Sequence, residues 1–150
     1  MADNSKRERI IQADFSIVQG ISSIKTPIRT IPKYKDLQSY ALPQLPVAAI
    51  VGGLPKPVEK KSGRTSHGVD QITSRLIVNV YVYLQANVDA DAAISSLVDD
   101  LWRELYTDPS RGKLVLDTTL DLQEDIQSWA PYLAFRLICT HHYIHDTGGI

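Results

Sequence analysis

Strict alternation over residues 72–86 constrains this chain more than any other feature. Leu76, Val78, Val80, Val82 and Leu84 take every second position, with Arg75, Ile77, Asn79, Tyr81, Tyr83 and Gln85 between them. A period of two places one set on each face of a β-strand. The uniformly aliphatic face has to be covered by another part of the chain. The mixed face suits half exposure or contact with a partner. The cover follows at once in residues 89–106, where Ala90, Ile94, Leu97, Val98, Leu101, Trp102 and Leu105 form one stripe at helical spacing. Asp89 or Asp91 can cap this helix and places negative charge at the positive end of its dipole.

The flanking segments read the same way. Residues 113–123 alternate, with Leu114, Leu116, Thr118, Leu120 and Leu122 against Val115, Asp117, Thr119 and Asp121. A polar connection over 124–131 holds Trp129, and residues 131–142 read as a further strand. Residues 5–24 form a second amphipathic helix: Ile11, Phe15, Val18 and Ile21 recur at helical spacing, flanked by Ile10, Ile17 and Ile24. Asn4 or Ser5 can cap it, with Glu8 within capping-box reach of Ser5. Gly20 weakens its last turns by roughly 1 kcal/mol relative to Ala, and Pro27 forbids continuation. Residues 26–44 read as an irregular connection with a short strand near 28–31. Residues 47–51 read as a strand entered at Pro46, a position where proline is tolerated. The order is helix, strand, arm, strand, helix, strand, strand. It predicts one α+β domain over residues 1–150, with an antiparallel or mixed sheet, the two amphipathic helices packed on one face, and a long extended arm.

The arm is residues 53–71. It carries Lys56, Lys60, Lys61, Arg64 and His67 among Pro55, Pro57, Gly63 and Gly68, and it has too little apolar content to bury itself. Unstructured loops of this length are uncommon in compact domains and usually have a function. Paired as a hairpin of about nine residues a side, it would reach on the order of 30 Å. Its five basic residues read either as a solvated loop face or as candidate assembly contacts of an arm that orders on a protein partner.

Charge is uneven along the chain, which reads either as chance plus solvated faces or as a subunit with two unlike sides. The net charge is −1, but residues 1–75 carry twelve Lys/Arg and six Asp/Glu, whereas residues 76–150 carry four and eleven, giving +6 and −7. A subunit with a basic side and an acidic side is suited to stacking head-to-tail on copies of itself. The single cysteine, Cys139, permits no intrachain disulfide. The N-terminal residues lack the apolar core of a secretory signal. No apolar run approaches the roughly 18 residues that span a bilayer, so no membrane partner is expected.

Residues that carry chemistry are few. His141, His142 and His145 lie near Cys139, and all are metal-ligand types. On a strand, His141 and His142 point to opposite faces, and His141 and His145 stand roughly 13 Å apart. They could not grip one metal without a turn, and Phe135, Ile138, Thr140 and Tyr143 favour the strand. Asp99 and Asp100 are adjacent on a helix and do not face each other. Asp117, Asp121 and Asp125 match no known cation loop. There is no glycine-rich phosphate loop and no serine elbow. Cys139, in mid-strand, reads as an inert packing residue. The arm could touch phosphates, but it has no interleaved aromatics. No catalytic residue, metal site or cofactor is expected.

Several stretches together resemble the tail terminator (tail completion, or minor tail) proteins of long-tailed bacteriophages. These are the N-terminal helix with Arg9-Ile-Ile-Gln-Ala, and Leu45-Pro-Val-Ala-Ala-Ile-Val feeding a hydrophilic arm. Then come Leu76-Ile-Val-Asn-Val-Tyr-Val-Tyr before Asp89-Ala-Asp-Ala-Ala-Ile, and the helix end Leu101-Trp-Arg-Glu-Leu-Tyr-Thr-Asp before Gly112-Lys-Leu-Val-Leu. The last is the strand Tyr132-Leu-Ala-Phe-Arg-Leu-Ile-Cys-Thr-His-His-Tyr. The turn Asp108-Pro-Ser-Arg-Gly departs from the Asp-x-Thr-Leu-Gly usual in that family. The resemblance implies a virion protein of the tail and neck, assembled in the host cytoplasm. It implies a hexameric ring that caps the tail tube protein, ends its polymerisation and meets the neck or connector proteins. DNA would pass through the lumen without sequence-specific binding, and no cofactor is implied. The competing readings are another neck or head-completion subunit, a small metal-dependent enzyme using His141 and His145, and a nucleic-acid-binding accessory protein.

Overall fold

The computed structural model describes residues 5–40, 45–61, 71–85, 90–124 and 132–146. Among these residues nine elements run in the order α1 (Lys6–Gln19), β1 (Thr26–Ile28), α2 (Tyr34–Ser39), β2 (Val47–Gly52), β3 (Lys56–Lys61), β4 (Gln71–Gln85), α3 (Ala90–Tyr106), β5 (Asp117–Glu124) and β6 (Tyr132–Asp146). The sheet order is β1-β2-β4-β6-β5, with β3 also paired to β4. Among the described strands β1 and β2 pair in parallel and the other pairs are antiparallel. This is the mixed-sheet α+β fold that the alternation and the two stripes predict.

The aliphatic face of β4 is the centre of the core. Leu76, Val78, Val80 and Val82 are fully buried, as are Leu137 and Cys139 on the neighbouring β6. Helix α1 contributes Ile10, Ile11 and Val18, and α3 contributes Leu97, Leu101 and Leu105. Each such aliphatic residue stabilises the fold by about 1.5–3 kcal/mol. Both long helices therefore lie on one face. Helix α1 sits against β1, β2 and β4. The C-terminal end of α3 lies over β5, where the Tyr106 hydroxyl accepts from the Leu120 amide at 3.0 Å.

The boundaries differ from the sequence reading in physically clear ways. Ser5 caps α1 as expected, its hydroxyl accepting from the Glu8 amide at 3.2 Å. The helix ends at Gln19 with Gly20 as its C-cap, and turns carry Ile21 and Ile24 into the core. The short strand before Pro32 is Thr26–Ile28 and not 28–31. The connection expected to be irregular holds α2, whose six residues are too few to show periodicity. Leu37 of α2 packs on Ala49 and Tyr83, so the second sheet face is partly covered. Strand β5 starts at Asp117 and not at Lys113, because Arg111, Gly112 and Lys113 take positive φ values of 50°, 67° and 69° and close a turn. Strand β6 runs on to Asp146, paired with β4 throughout.

The arm is described over residues 53–61 and at Gln71, and six of these residues form β3. Lys56–Lys61 continues the edge that β2 begins, and it pairs with Gln71–Arg75 with a register shift between Pro57 and Glu59. The Gly53 amide bridges the two strands by donating to the Ile77 carbonyl at 2.8 Å. Arg7 of α1 holds this junction by donating to the carbonyls of Gly53 (3.0 Å) and Gly52 (3.2 Å), while Lys6 Nζ donates to that of Ile144 (2.5 Å) on β6, opposite Thr73.

Candidate functional site

Two groups of polar side chains lie buried on the helix-covered face of the sheet, and the histidines singled out in the sequence divide between them. The larger centres on Asp14, which is fully buried on α1. Its Oδ1 accepts from Arg111 Nε at 2.7 Å, and its Oδ2 pairs with His141 Nε2 at 2.6 Å. His141 Nδ1 lies 2.7 Å from Thr118 Oγ1, and that hydroxyl is also 2.7 Å from the Pro109 carbonyl. An ionised carboxylate only accepts, so His141 carries a proton on Nε2. The single Thr118 proton then goes either to His141 Nδ1 or to Pro109.

The turn after α3 is built to deliver Arg111 to this group. Asp108 Oδ1 accepts from the Ser110 amide (3.1 Å) and hydroxyl (2.7 Å), and its Oδ2 accepts from the Gly112 amide (2.7 Å). The Ser110 hydroxyl and then the Gly112 amide hold the Asp108 carboxyl below its ordinary range. Arg111 turns inward and also donates Nη1 to the carbonyls of Leu105 and Asp108, both at 2.7 Å. Its Nη2 is buried without a partner among the described residues. One carboxylate thus joins α1, the α3–β5 turn, β5 and β6.

The second group lies two pairs further along the sheet. Ser74 Oγ is 2.7 Å from His145 Nε2, both residues being buried. The Tyr143 ring lies 5.5 Å from that of His145. Burial raises the Tyr143 hydroxyl above its ordinary range, against the opposing charge of Arg7. Tyr143 Oη is buried without a hydrogen-bond partner among the described residues.

His141 and His145 therefore share a face but serve separate partners, and His142 points to the opposite face, 3.1 Å from Asp117. No group of three or more His, Cys, Asp or Glu side chains is placed to hold a metal among the described residues. Asp, His and Thr are the residue types of an acyl-transfer triad, but Asp14 and His141 are fully buried and Thr118 nearly so. A reacting carbonyl would need a place about 3 Å from the hydroxyl, and the packing leaves Thr118 Oγ1 between His141 and Pro109. The group is suited to joining elements, not to turnover. Cys139, on the same face, is sealed as well: burial raises its thiol well above the ordinary range, Asp14 adds to that, and Arg111 opposes it.

The candidate assembly contacts lie elsewhere. Lys56 and Lys60 are exposed on β3, and Lys61 ends that strand. Arg64 and His67 lie outside the described residues, as does Asp125 of the acidic trio. Asp117 and Asp121 are exposed on β5. Asp99 and Asp100 both bind Arg103, at 2.9 and 2.7 Å. No helix among the described residues is long and apolar enough to cross a membrane.

Sequence reasoning missed Asp14, Arg111, Thr118 and Ser74 as partners of the histidines. One signal was present. Asp14 stands three residues after Ile11 and four before Val18, an acid inside an apolar stripe. Comparison with known protein families and with curated proteins gave no match.

Proposed function

We propose that this chain is a structural virion subunit of the tail-terminator type. Copies close into a six-membered ring at the end of a tail tube, stop its growth, and present the surface that the neck meets. The chain carries no catalytic role in this reading, and DNA passes through the lumen without sequence-specific contacts.

The arm carries the argument. Its described first part, Lys56–Lys61, is paired to β4, and Arg7 of α1 holds the carbonyls of Gly52 and Gly53 just before it. A rigid edge bearing Lys56, Lys60 and Lys61, with Leu54 and Val58 exposed beside them, suits contact with another protein. The buried Asp14 group ties α1, the turn after α3, β5 and β6 into one frame.

The test is electron microscopy of tail tubes polymerised with and without the purified chain. Shorter tubes of uniform length, each with a terminal ring, are expected. Replacing Lys60, Lys61 and Arg64 by alanine should abolish capping while the circular dichroism spectrum is unchanged. Tubes of unaltered length with bare ends in the presence of the wild-type chain overturn the proposal.

A further inference from the structure

The exposed large apolar residues are unevenly placed. Among the described residues, Leu54 and Val58 are exposed on and beside β3, while Trp102, Leu116 and Leu122 are exposed at the opposite side of the sheet; Ile31 is the exception. Leu54 is 86% exposed and Leu116 58%. Trp102 belongs to this second side because its ring meets Tyr106 edge-on at 5.2 Å and Tyr106 reaches the Leu120 amide of β5.

Charge divides along the same line. The first side carries Lys56, Lys60 and Lys61 on β3, and the N-terminal end of α1 adds Lys6, Arg7 and Arg9. The second carries Asp117 and Asp121 on β5, with Asp91, Asp99, Asp100 and Glu104 on α3. Glu8 and Glu59 on the first side, and Arg103 and Lys113 on the second, offset part of this, and each side keeps an excess of its own sign.

We propose that the β3 side of one copy docks on the β5 side of the next, with Leu54 and Val58 against Leu116 and Leu122 and the lysines against Asp117 and Asp121. The two surfaces differ, so the contact is heterologous and repeats around a ring. Apolar residues supply the contact area, and charge fixes orientation and excludes the like-to-like pairings. The contact is made by side chains and not by adding a strand. Two amides of the β5 edge are already taken, Leu120 by the Tyr106 hydroxyl and Leu122 by Asp121 Oδ1 at 2.9 Å. On the other side, the register shift and Pro57 make β3 a poor template for strand addition. The inference deepens the ring reading and rests on it for the partner being a second copy.

Charge exchange tests it in solution. One variant carries Lys56→Glu and Lys60→Glu; the other carries Asp117→Lys and Asp121→Lys. Light scattering at low salt gives the mass of each. Each variant alone should assemble at least about tenfold more weakly than the wild type, since exposed pairs become repulsions. An equimolar mixture should recover the wild-type mass, because alternating copies match at every contact. Recovery also shows that both variants are folded. Variants that assemble alone like the wild type, or a mixture that stays dissociated, overturn the docking while leaving the ring to stand. A wild-type chain and a mixture both at monomer mass overturn it too, and the appearance of the tube ends then decides the ring reading separately.

Discussion

Replacing Asp14 by alanine should cost about 3–5 kcal/mol, the usual penalty for removing one partner of a buried ion pair. The same figure follows from the donors left behind. Arg111 Nε and His141 Nε2 both lose their acceptor, and each buried unsatisfied donor costs about 1–3 kcal/mol. Domains of this kind are stable by roughly 5–15 kcal/mol in all, so the loss is a large share. Asp14→Asn should cost less. The amide oxygen can still accept from Arg111, and its nitrogen can donate to His141 Nε2 once the imidazole proton sits on Nδ1 and goes to Thr118. That hydroxyl then donates to Pro109, so each bond is remade and only the charge of Arg111 is left without an opposite. The pair Asp14→Ala and Arg111→Ala together should cost less than the sum of the singles by about 0.5–3 kcal/mol. Urea unfolding with unchanged slopes measures all of these. An Asp14→Ala loss below about 1 kcal/mol, or strict additivity with Arg111→Ala, would refute the reasoning.

Two further outcomes follow from the packing. A Cβ at Gly52 would lie 2.2 Å from Ile11 Cδ1 and 2.7 Å from its Cγ1, so Gly52→Ala should destabilise by about 1–3 kcal/mol. Adding Ile11→Val should recover part of that, and a double variant worse than the sum of the singles contradicts the clash. Cys139 should resist a thiol reagent at pH 8 in the folded protein and react fully in denaturant; rapid labelling of the native chain would show that the thiol is not sealed.

The parts of the fold written as repeats were legible, and the parts written as contacts between distant residues were not. Leu76, Val78, Val80 and Val82 announce β4 because burial on one side of a strand imposes a period of two. Leu97, Leu101 and Leu105 announce α3 for the same reason at helical period. Helix α2 left no such trace, because Leu37 is its one buried residue among the described side chains. The start of β5 was misplaced because Leu114 and Leu116 keep the alternation going through the turn that Arg111, Gly112 and Lys113 close. Strand geometry correctly separated His141, His142 and His145, but it could not say what each would meet. Their partners are 127, 25 and 71 positions away, and such pairings carry no local signature.

The buried Asp14 group and the outer edges belong to one argument. Replacing a buried ion pair with apolar residues is often neutral for stability, so the group's value to the chain lies in what it specifies. Rotating α1 by one residue would take Asp14 to the half-buried position that Ala13 or Phe15 now holds, and leave Arg111 and His141 without it. The helix therefore has one allowed setting on the sheet. That setting carries down its length to Arg7, which holds the carbonyls of Gly52 and Gly53 at the root of the arm, and to Lys6, which holds that of Ile144 on β6. The same carboxylate grips the turn before β5 through Arg111 and β5 itself through His141 and Thr118. The β3 side and the β5 side are thus referred to a single interior point. A subunit that must meet identical copies on two different sides needs those sides at a fixed angle, because a small error repeated around a ring prevents closure.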